Sequence, residues 1–441
     1  TPDAQASEVW VDDDWTGYGD CGGHVWGYDA FKTIQSAIDG VADGGTVNVL
    51  AGLYEQQLTV NKPLALLGPN AAVAGTGSRV AEAVVQFPDG AANGSELIRV
   101  LSNLHNVTIA GFDLRCQDST IPNYHYLIGA TSSSLTDPTE KWNNMTIRNN
   151  RMYSSEIPVY ILTDFDVHGS GVLIEGNYIN GGPNVNNCYN RGLYVGGTSG
   201  TIQDNVVENC NIGIQYMPYG NPNTGVIRRN TVSASNIGLY NNYQTIGAAL
   251  VTWEQNVVAV APNPQTGPAT QVDGARTSPA VFNGIYFNTF GTQGTGVAPT
   301  ALFQNNTINA ADPGGTTTTE FRAVYLENSA AGATAILKNN SFTGYTDGVG
   351  RAANASNVTV NASCNWWGST NDTAIAAGMS GAVDFTPYLA SGTDTDPITA
   401  GFQGDFSTLH VTALGAQTDS TAYGRIQEGV NLVATNGTVN V

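Results

Sequence analysis

The sequence predicts an all-β fold, a right-handed parallel β-helix of about ten rungs with an N-terminal capping α-helix. Three observations lead to this prediction: a short apolar phrase that contains Asn returns along the chain, a second apolar strand follows it in each repeat, and one amphipathic segment precedes the first repeat. The expected domains are a cap over residues 1–44, the β-helix over 45–390, a linker over 391–408 and the start of a second β-helix module over 409–441.

The repeated phrase is apolar-x-apolar-x-x-Asn-x-apolar, and most copies lie 25 to 28 residues apart. This spacing suits one turn of a solenoid, in which stacked turns cover each other's open faces. Asn tolerates left-handed backbone and its amide both donates and accepts, so we expect an internal ladder. The step of 50 residues from Asn256 to Asn306 predicts two rungs. The ladder positions are Asn150, Asn177, Asn205, Asn230, Asn256, Asn306 and Asn340.

The second strand of most repeats places a tyrosine beside an apolar residue, and Gln215 takes this place in one repeat. Side chains alternate along a strand, so if the Leu, Ile and Val residues point into the coil, the tyrosines point outward as a surface column. Rings repeated at about 4.8 Å per rung would stack against sugar rings. The alternative is that they stabilise the sheet as neighbours across rungs. The expected glycan-binding residues are Tyr160, Tyr194, Tyr240, Tyr286 and Tyr325.

One amphipathic helix is predicted before the first rung. Its apolar residues Phe31, Ile34, Ile38 and Val41 fall at helical spacing. The apolar face would cover the open end of the coil, whose exposed edge would otherwise favour aggregation.

The end of the chain repeats this cap. Residues 422–441 align without a gap onto residues 30–49 at a constant offset of 392, and ten of the twenty positions are identical. We expect a second β-helix module to begin here. The alternatives are that the segment caps the far end of the first coil or docks onto a neighbouring molecule by strand addition.

The composition limits the partners. Sixteen basic residues face 36 acidic ones, for a formal net charge of −20. Such a chain repels phosphate, so nucleic acid and anionic membranes are excluded as partners, while polysaccharides or other copies of the chain are expected. No apolar run approaches the roughly 18 residues of a membrane span, so no direct membrane insertion is expected.

The composition also predicts an extracellular or cell-surface location, in which a disulfide would persist. Cys188 and Cys210 lie one repeat apart at similar places in their repeats. They form either one bridge between adjacent rungs or two free buried thiols.

Three segments near the start carry a resemblance: Val9-Trp10-Val11-Asp12-Asp13-Asp14-Trp15, Phe31-Lys32-Thr33-Ile34-Gln35-Ser36-Ala37-Ile38 and Gly45-Thr46-Val47-Asn48-Val49. They resemble the start of right-handed parallel β-helix repeat proteins of the pectin-lyase-like superfamily. Cys364-Asn365-Trp366-Trp367-Gly368 resembles a segment common near the end of such coils in large bacterial and archaeal surface proteins. The resemblance implies the fold, but the superfamily holds lyases, hydrolases, epimerases, tailspikes, adhesins and surface proteins, so it does not select an activity.

Catalytic residues do not form a convincing set in the sequence. A lyase of this superfamily would need a base, for which Arg191 and Arg322 are candidates because they precede the tyrosine column. A glycoside hydrolase would need two carboxylates about 5 to 10 Å apart. Glu254 and Glu327 are candidates by position, but they do not share a column on adjacent rungs.

A calcium site is the remaining expectation. Asp12, Asp13 and Asp14 would supply the hard oxygen ligands that Ca²⁺ prefers. The alternative is that these carboxylates are simply solvated.

The sequence as a whole favours an extracellular structural or adhesive protein, a surface-layer or matrix component that also binds glycans. The alternative is a polysaccharide lyase or glycoside hydrolase.

Overall fold

The computed structural model describes residues 5–19, 21–92, 94–116, 125–131, 142–153, 157–162, 169–181, 190–218, 224–242, 250–261, 281–289, 300–310, 320–327, 332–356, 358–418 and 424–441. The chain divides into two compact units, Thr1–Cys210 and Asn211–Val441. The domain boundaries expected from the sequence are different and stay predictions.

The first unit contains two sets of parallel strands. One set consists of Glu8–Val11, Ala30–Phe31, Gly45–Val49, Leu64–Leu67, Val107–Ala110, Thr146–Arg148, Gly169–Glu175 and Thr198–Gln203. The other consists of Gly52–Glu55, Leu58–Val60, Ala83–Gln86, Glu96–Val100, Asp113–Arg115, Tyr126–Thr131, Arg151–Tyr153, Ile157–Leu162, Tyr178–Asn180 and Arg191–Gly196. A long strand, Val206–Met217, begins in this unit and ends in the next.

The second unit repeats the same organisation. Its first set is Thr224–Arg228, Leu250–Glu254, Thr300–Gln304, Thr334–Lys338, Thr359–Asn361 and Val383–Asp384. Its second set is Thr231–Asn242, Val257–Val260, Val281–Asn288, Thr307–Ala310, Glu320–Glu327, Ser341–Thr343 and Asp347–Arg351. A separate small sheet consists of Tyr388–Leu389, Thr408–His410 and Thr438–Asn440. The helices are Ile34–Gly40, Asp372–Ala377 and Arg425–Leu432, with a 3₁₀ turn at Ala353–Ala355.

The strand registers identify the fold. In the first unit Thr146 pairs in parallel with Thr108 of the preceding rung and with Leu173 of the following rung. The next residue of the same strand, the inward-facing Ile147, is fully buried. Strands that pair with their equivalents one turn earlier and one turn later form a parallel β-helix, so the predicted all-β fold is confirmed.

The Asn ladder is present in both units. In the first unit the Asn150 Nδ2 donates to the Asn177 Oδ1 at 3.1 Å. In the second unit the Asn306 Nδ2 donates to the Asn340 Oδ1 at 2.9 Å, and the Asn340 Nδ2 donates to Asn365, a ladder member that the sequence phrase missed, also at 2.9 Å. These side chains are fully buried, or nearly so, and their paired amides satisfy one another inside the coil.

The left-handed backbone was expected at the ladder Asn itself, and this expectation is wrong. The residue before it has the positive φ instead, as in Asn149 at 57° and Gln255 at 56°. The turn is therefore completed one residue earlier. The ladder Asn can then direct both its N–H and its amide at the next rung, as Asn150 does toward Asn177.

The step of 50 residues is one rung, not the two predicted. The Asn256 Nδ2 donates directly to the Asn306 Oδ1 at 3.0 Å. Thr252 likewise pairs with Leu302. The prediction failed because it counted chain length, whereas the additional residues lie between strands of one turn, in stretches 262–280 and 290–299 outside the described residues.

The predicted N-terminal helix is confirmed, but it is shorter than the apolar spacing indicated. It spans Ile34–Gly40, because Phe31 belongs to the strand Ala30–Phe31 and Val41 is the C-cap. The Thr33 side chain caps it by accepting the Ser36 N–H at 3.2 Å. Ile34 and Ile38 are fully buried, and the helix packs against the strands of the first rung. Burying these side chains removes from water the apolar face that the sequence pattern indicated.

A polar cluster lies beside this cap. The His24 Nδ1 contacts the Asp29 Oδ2 at 3.1 Å, and the Val25 N–H donates to the Asp29 Oδ1 at 2.6 Å. Burial acts to raise the pKa of Asp29, but these two partners together outweigh it and lower the pKa below the ordinary value.

Throughout the described part of the chain, no helix is long and apolar enough to cross a membrane.

Candidate functional site

The predicted tyrosines of the second unit lie in register on neighbouring strands. Tyr240 pairs with Tyr286, and Tyr286 pairs with Tyr325. The residues before them, Leu239 and Ile285, are fully buried in the coil. Because side chains alternate along a strand, the three tyrosines lie on the opposite, outer side of the sheet.

The exposure of this row differs from the prediction. Tyr240 is fully buried and Tyr286 is only 2% exposed, so neither is a surface residue, whereas Tyr325 is partly exposed. The physical reason is that Ile212 and Ile237 pack with these rings in one buried apolar cluster. From the sequence we predicted that the tyrosines point outward, but not that other side chains cover them.

Amide side chains that the sequence argument overlooked lie on both sides of the row. Asn283 precedes Tyr286 by three residues, and Asn288 follows it by two. The Asn288 Nδ2 donates to the Tyr240 hydroxyl at 3.3 Å. Asn283 is fully buried, and within the described ranges neither its Oδ1 nor its Nδ2 has a hydrogen-bond partner. The signal in the sequence is positional, since both residues lie on the same strand within three residues of a tyrosine.

Arg322 lies against the ring of Tyr325. Its guanidinium carbon is 4.5 Å from the ring centroid, a cation–π contact. Its Nη2 donates to Glu320, and its Nε lies 3.9 Å from the Asp347 Oδ2. Burial raises the pKa of Asp347 more than Arg322 lowers it, and Glu320 adds to the increase. The side chain of Arg322 is therefore held in position by three neighbours.

The first unit has the same pair. The Arg191 guanidinium carbon lies 4.8 Å from the ring centroid of Tyr194, again three residues further along the strand. Tyr160 pairs with Tyr194, with ring centroids 5.0 Å apart, and Tyr126 stacks on Tyr160 at 4.8 Å. Burial raises the pKa of Tyr160, and Arg191 partly opposes this. We call Arg191–Tyr194 and Arg322–Tyr325 the two Arg–Tyr pairs.

The carboxylate candidates are not brought together. Glu254 lies in the first set of strands of its unit, where its Oε2 accepts from the Gln304 Nε2 at 2.9 Å. Glu327 lies in the second set, paired in register with Asn288 and two residues after Tyr325. Two carboxylates on different sheets do not form the facing pair that a glycoside hydrolase needs.

Two of the three aspartates proposed for calcium accept hydrogen bonds from the backbone. The Asp12 Oδ1 accepts the Asp14 N–H at 3.0 Å, and the Asp13 Oδ2 accepts the Leu53 N–H at 3.1 Å. No group of three His, Cys, Asp or Glu side chains among the described residues is arranged to hold a metal ion. The calcium site stays a prediction.

The predicted disulfide cannot be placed, because Cys188 lies outside the described residues. Cys210 is fully buried, and its thiol donates to the Glu208 carbonyl oxygen at 3.3 Å. Burial raises the pKa of this thiol to about 12. The bridge stays a prediction.

Comparison with known proteins yields structural likeness only. No family model and no curated protein matches the chain. Pectin methylesterase from Aspergillus niger is 12% identical over 81% of this chain and 90% of its own, with a TM-score of 0.30. The A-module of the mannuronan C-5 epimerase AlgE6 from Azotobacter vinelandii is 14% identical over 76% of this chain and 93% of its own, with a TM-score of 0.35. The Dettilon tailspike protein is 13% identical over 71% of this chain and 63% of its own, with a TM-score of 0.32. Such identities concern the fold alone, and the parallel β-helix that the sequence resemblance implied is the fold that the strand registers of this chain show.

Proposed function

We propose that the chain is an extracellular structural or adhesive β-helix protein that contacts a polysaccharide through its two Arg–Tyr pairs. The observation that carries the proposal is the repetition of one arrangement. In each unit a guanidinium lies on a tyrosine ring at the outer side of a strand, at 4.8 Å in Arg191–Tyr194 and 4.5 Å in Arg322–Tyr325.

The chemistry of these pairs suits a sugar. A tyrosine combines an apolar ring with a hydroxyl, and arginine offers several N–H donors in a fixed plane. In the second unit the carboxylate of Glu327 adds an acceptor for hydroxyl groups two residues after Tyr325. Since Glu320 and Asp347 already hold Arg322, little side-chain entropy would be lost on binding.

The structural part of the proposal rests on charge and on the coil itself. The net charge of −20 disfavours phosphate-rich partners and leaves neutral glycans and proteins. The buried Asn ladders make each rung depend on its neighbours, which suits a long, rigid support.

Binding to a panel of neutral and uronate polysaccharides, measured by isothermal titration, tests the proposal. We expect at least one to bind, and Tyr325→Ala to weaken that binding about tenfold. The matched control is Tyr153→Ala, because Tyr153 also lies near a guanidinium, Arg115 at 6.0 Å, but outside the two Arg–Tyr pairs. Absence of binding across the panel, or equal losses in the two variants, would contradict the proposal.

The same samples address the enzymatic alternative. After incubation, the polysaccharides are analysed for new reducing ends and unsaturated products. The proposal predicts neither. Products that depend on Glu327 or Arg322 would establish a hydrolase or a lyase and overturn the assignment to a structural or adhesive protein.

A further inference from the structure

The repeated cap at the end of the chain folds as a second copy of the first cap. In the first copy the strand Glu8–Val11 pairs in parallel with Gly45–Val49, so that Val9 faces Val47. In the second copy Thr408–His410 pairs in parallel with Thr438–Asn440, so that Leu409 faces Val439. A helix connects the two strands in each case, Ile34–Gly40 and Arg425–Leu432.

The likeness extends to individual backbone hydrogen bonds. The Thr46 N–H donates to the Ser7 carbonyl at 2.9 Å, and the Thr438 N–H donates to the Ser407 carbonyl at 2.8 Å. Both helices end with a valine N–H donating to the carbonyl four residues earlier, each at 2.9 Å. A Cβ on Gly45 would lie 2.6 Å from the Ser7 carbonyl oxygen, and one on Gly437 would lie 2.7 Å from the equivalent oxygen.

The two copies differ in how far their apolar side chains are buried. Ile34 and Ile38 are fully buried, but the equivalent Ile426 and Val430 are 54% and 52% exposed. The second copy therefore exposes the face that the first copy covers.

The first copy shows what covers that face. The strand Leu64–Leu67 of the following coil pairs in parallel with Gly45–Asn48. The Gln35 side chain holds the backbone of Thr59 in the same coil, accepting its N–H at 2.8 Å and donating to its carbonyl at 3.2 Å.

The following coil also reaches the end of the cap helix. The Lys62 ammonium donates to the Asp39 carbonyl at 3.1 Å and to the Val41 carbonyl at 3.0 Å, where a cation stabilises a helix C-terminus. The second copy retains the equivalent of Gln35 as Gln427, which is exposed. Its Nε2 donates to Asn431 one turn along the helix, as Gln35 donates to Asp39.

We propose that the second copy, formed by Thr408–His410, Arg425–Leu432 and Thr438–Asn440, is the cap of a second β-helix coil. It binds the first rung of that coil. The occupant is a coil that follows in the same polypeptide, because the covering strand of the first copy comes from the residues directly after its cap. Its strand pairs with Thr438–Asn440, and its apolar face covers Ile426 and Val430. Gln427 then holds a backbone N–H and carbonyl, as Gln35 does.

An extension with the chain's own sequence tests this proposal. Residues 50–115, which follow the first cap, are attached directly after Val441 of the full chain. Residue 50 then follows Val441 as it follows the equivalent Val49 in the first copy. Hydrogen exchange of the peptide covering residues 425–440 is then measured. We expect exchange at least about tenfold slower than in the unextended chain, because pairing protects the strand and covers the helix.

Two controls decide what the protection means. Leu66→Asp in the attached segment places a carboxylate on the buried face of the new strand, and Gln427→Ala removes the backbone contact. Both are expected to lose protection, and Leu66→Asp more completely. Unchanged exchange in the extended chain, or equal protection with Leu66→Asp, overturns the proposal. If the unextended chain dimerises and Ile426→Asp separates the dimer, the occupant is a second copy and the proposal is likewise overturned.

Discussion

Asn256 provides a direct measure of what the internal ladder contributes. Its Oδ1 accepts from the backbone N–H and the Nδ2 of Asn230 at 3.1 and 3.0 Å. Its Nδ2 donates to the Ile227 carbonyl at 2.9 Å and to the Asn306 Oδ1 at 3.0 Å. Asn256→Ala therefore removes four hydrogen bonds from a fully buried position. At a net contribution of about 1 kcal/mol for each bond, the free energy of unfolding should fall by about 4 kcal/mol.

Urea unfolding followed by far-ultraviolet circular dichroism measures this loss as a shift of the midpoint. The matched control is Gln304→Ala in the neighbouring rung, which removes one half-buried hydrogen bond to Glu254. We expect the control to lose less than about 1 kcal/mol. A loss at Asn256 no larger than that of the control would refute the ladder as a main source of stability.

Three further predictions concern the tyrosine row, a thiol and the N-terminal cap. A methyl group on Gly350 would lie 2.6 Å from the Arg322 Cδ, so Gly350→Ala should displace Arg322 from Tyr325. Polysaccharide binding in titrations should weaken about tenfold, with little change in thermal stability. Unchanged affinity would contradict this prediction. Cys210, with its pKa raised by burial to about 12, should resist iodoacetamide at pH 8 under mild reduction until urea is added, as read by mass spectrometry; labelling of the native protein would be inconsistent with its burial. Because the pKa of Asp29 is lowered on folding, its carboxylate stabilises the protein above the unfolded-state pKa of about 3.9, and this contribution is lost as the pH falls through the folded-state value. Melting curves should therefore show Asp29→Asn less stable than the original chain near pH 6 and a smaller difference near pH 2, and a constant difference would contradict the lowered pKa.

The periodic features of the fold could be predicted because they are properties of each repeat. The apolar phrase around Ile147 and the amide of Asn150 recur wherever a rung exists, so a single sequence contains many copies of the same evidence. The helix at Ile34–Gly40 was predictable for a similar reason, since its spacing and its Thr33 cap are local.

The features that failed depend on contacts between residues distant in sequence. The step from Asn256 to Asn306 was read from length, and only the direct bond between their side chains shows a single rung. The burial of Tyr240 depends on Ile212 and Ile237, which a strand pattern does not place against it. The amide of Asn283 was overlooked because its position beside Tyr286 matters only once the strands are in register.

The central claim is that the Arg–Tyr pairs contact a polysaccharide, and a hydrogen-exchange footprint tests it most directly. Exchange is compared with and without the tightest-binding polysaccharide of the panel, for the strands Glu320–Glu327 and Arg191–Gly196 and for the reference strand Arg151–Tyr153. We expect slower exchange in the first two strands and no change in the reference strand. Protection confined to the reference strand, or bound polysaccharide that leaves both Arg–Tyr strands unchanged, would contradict it.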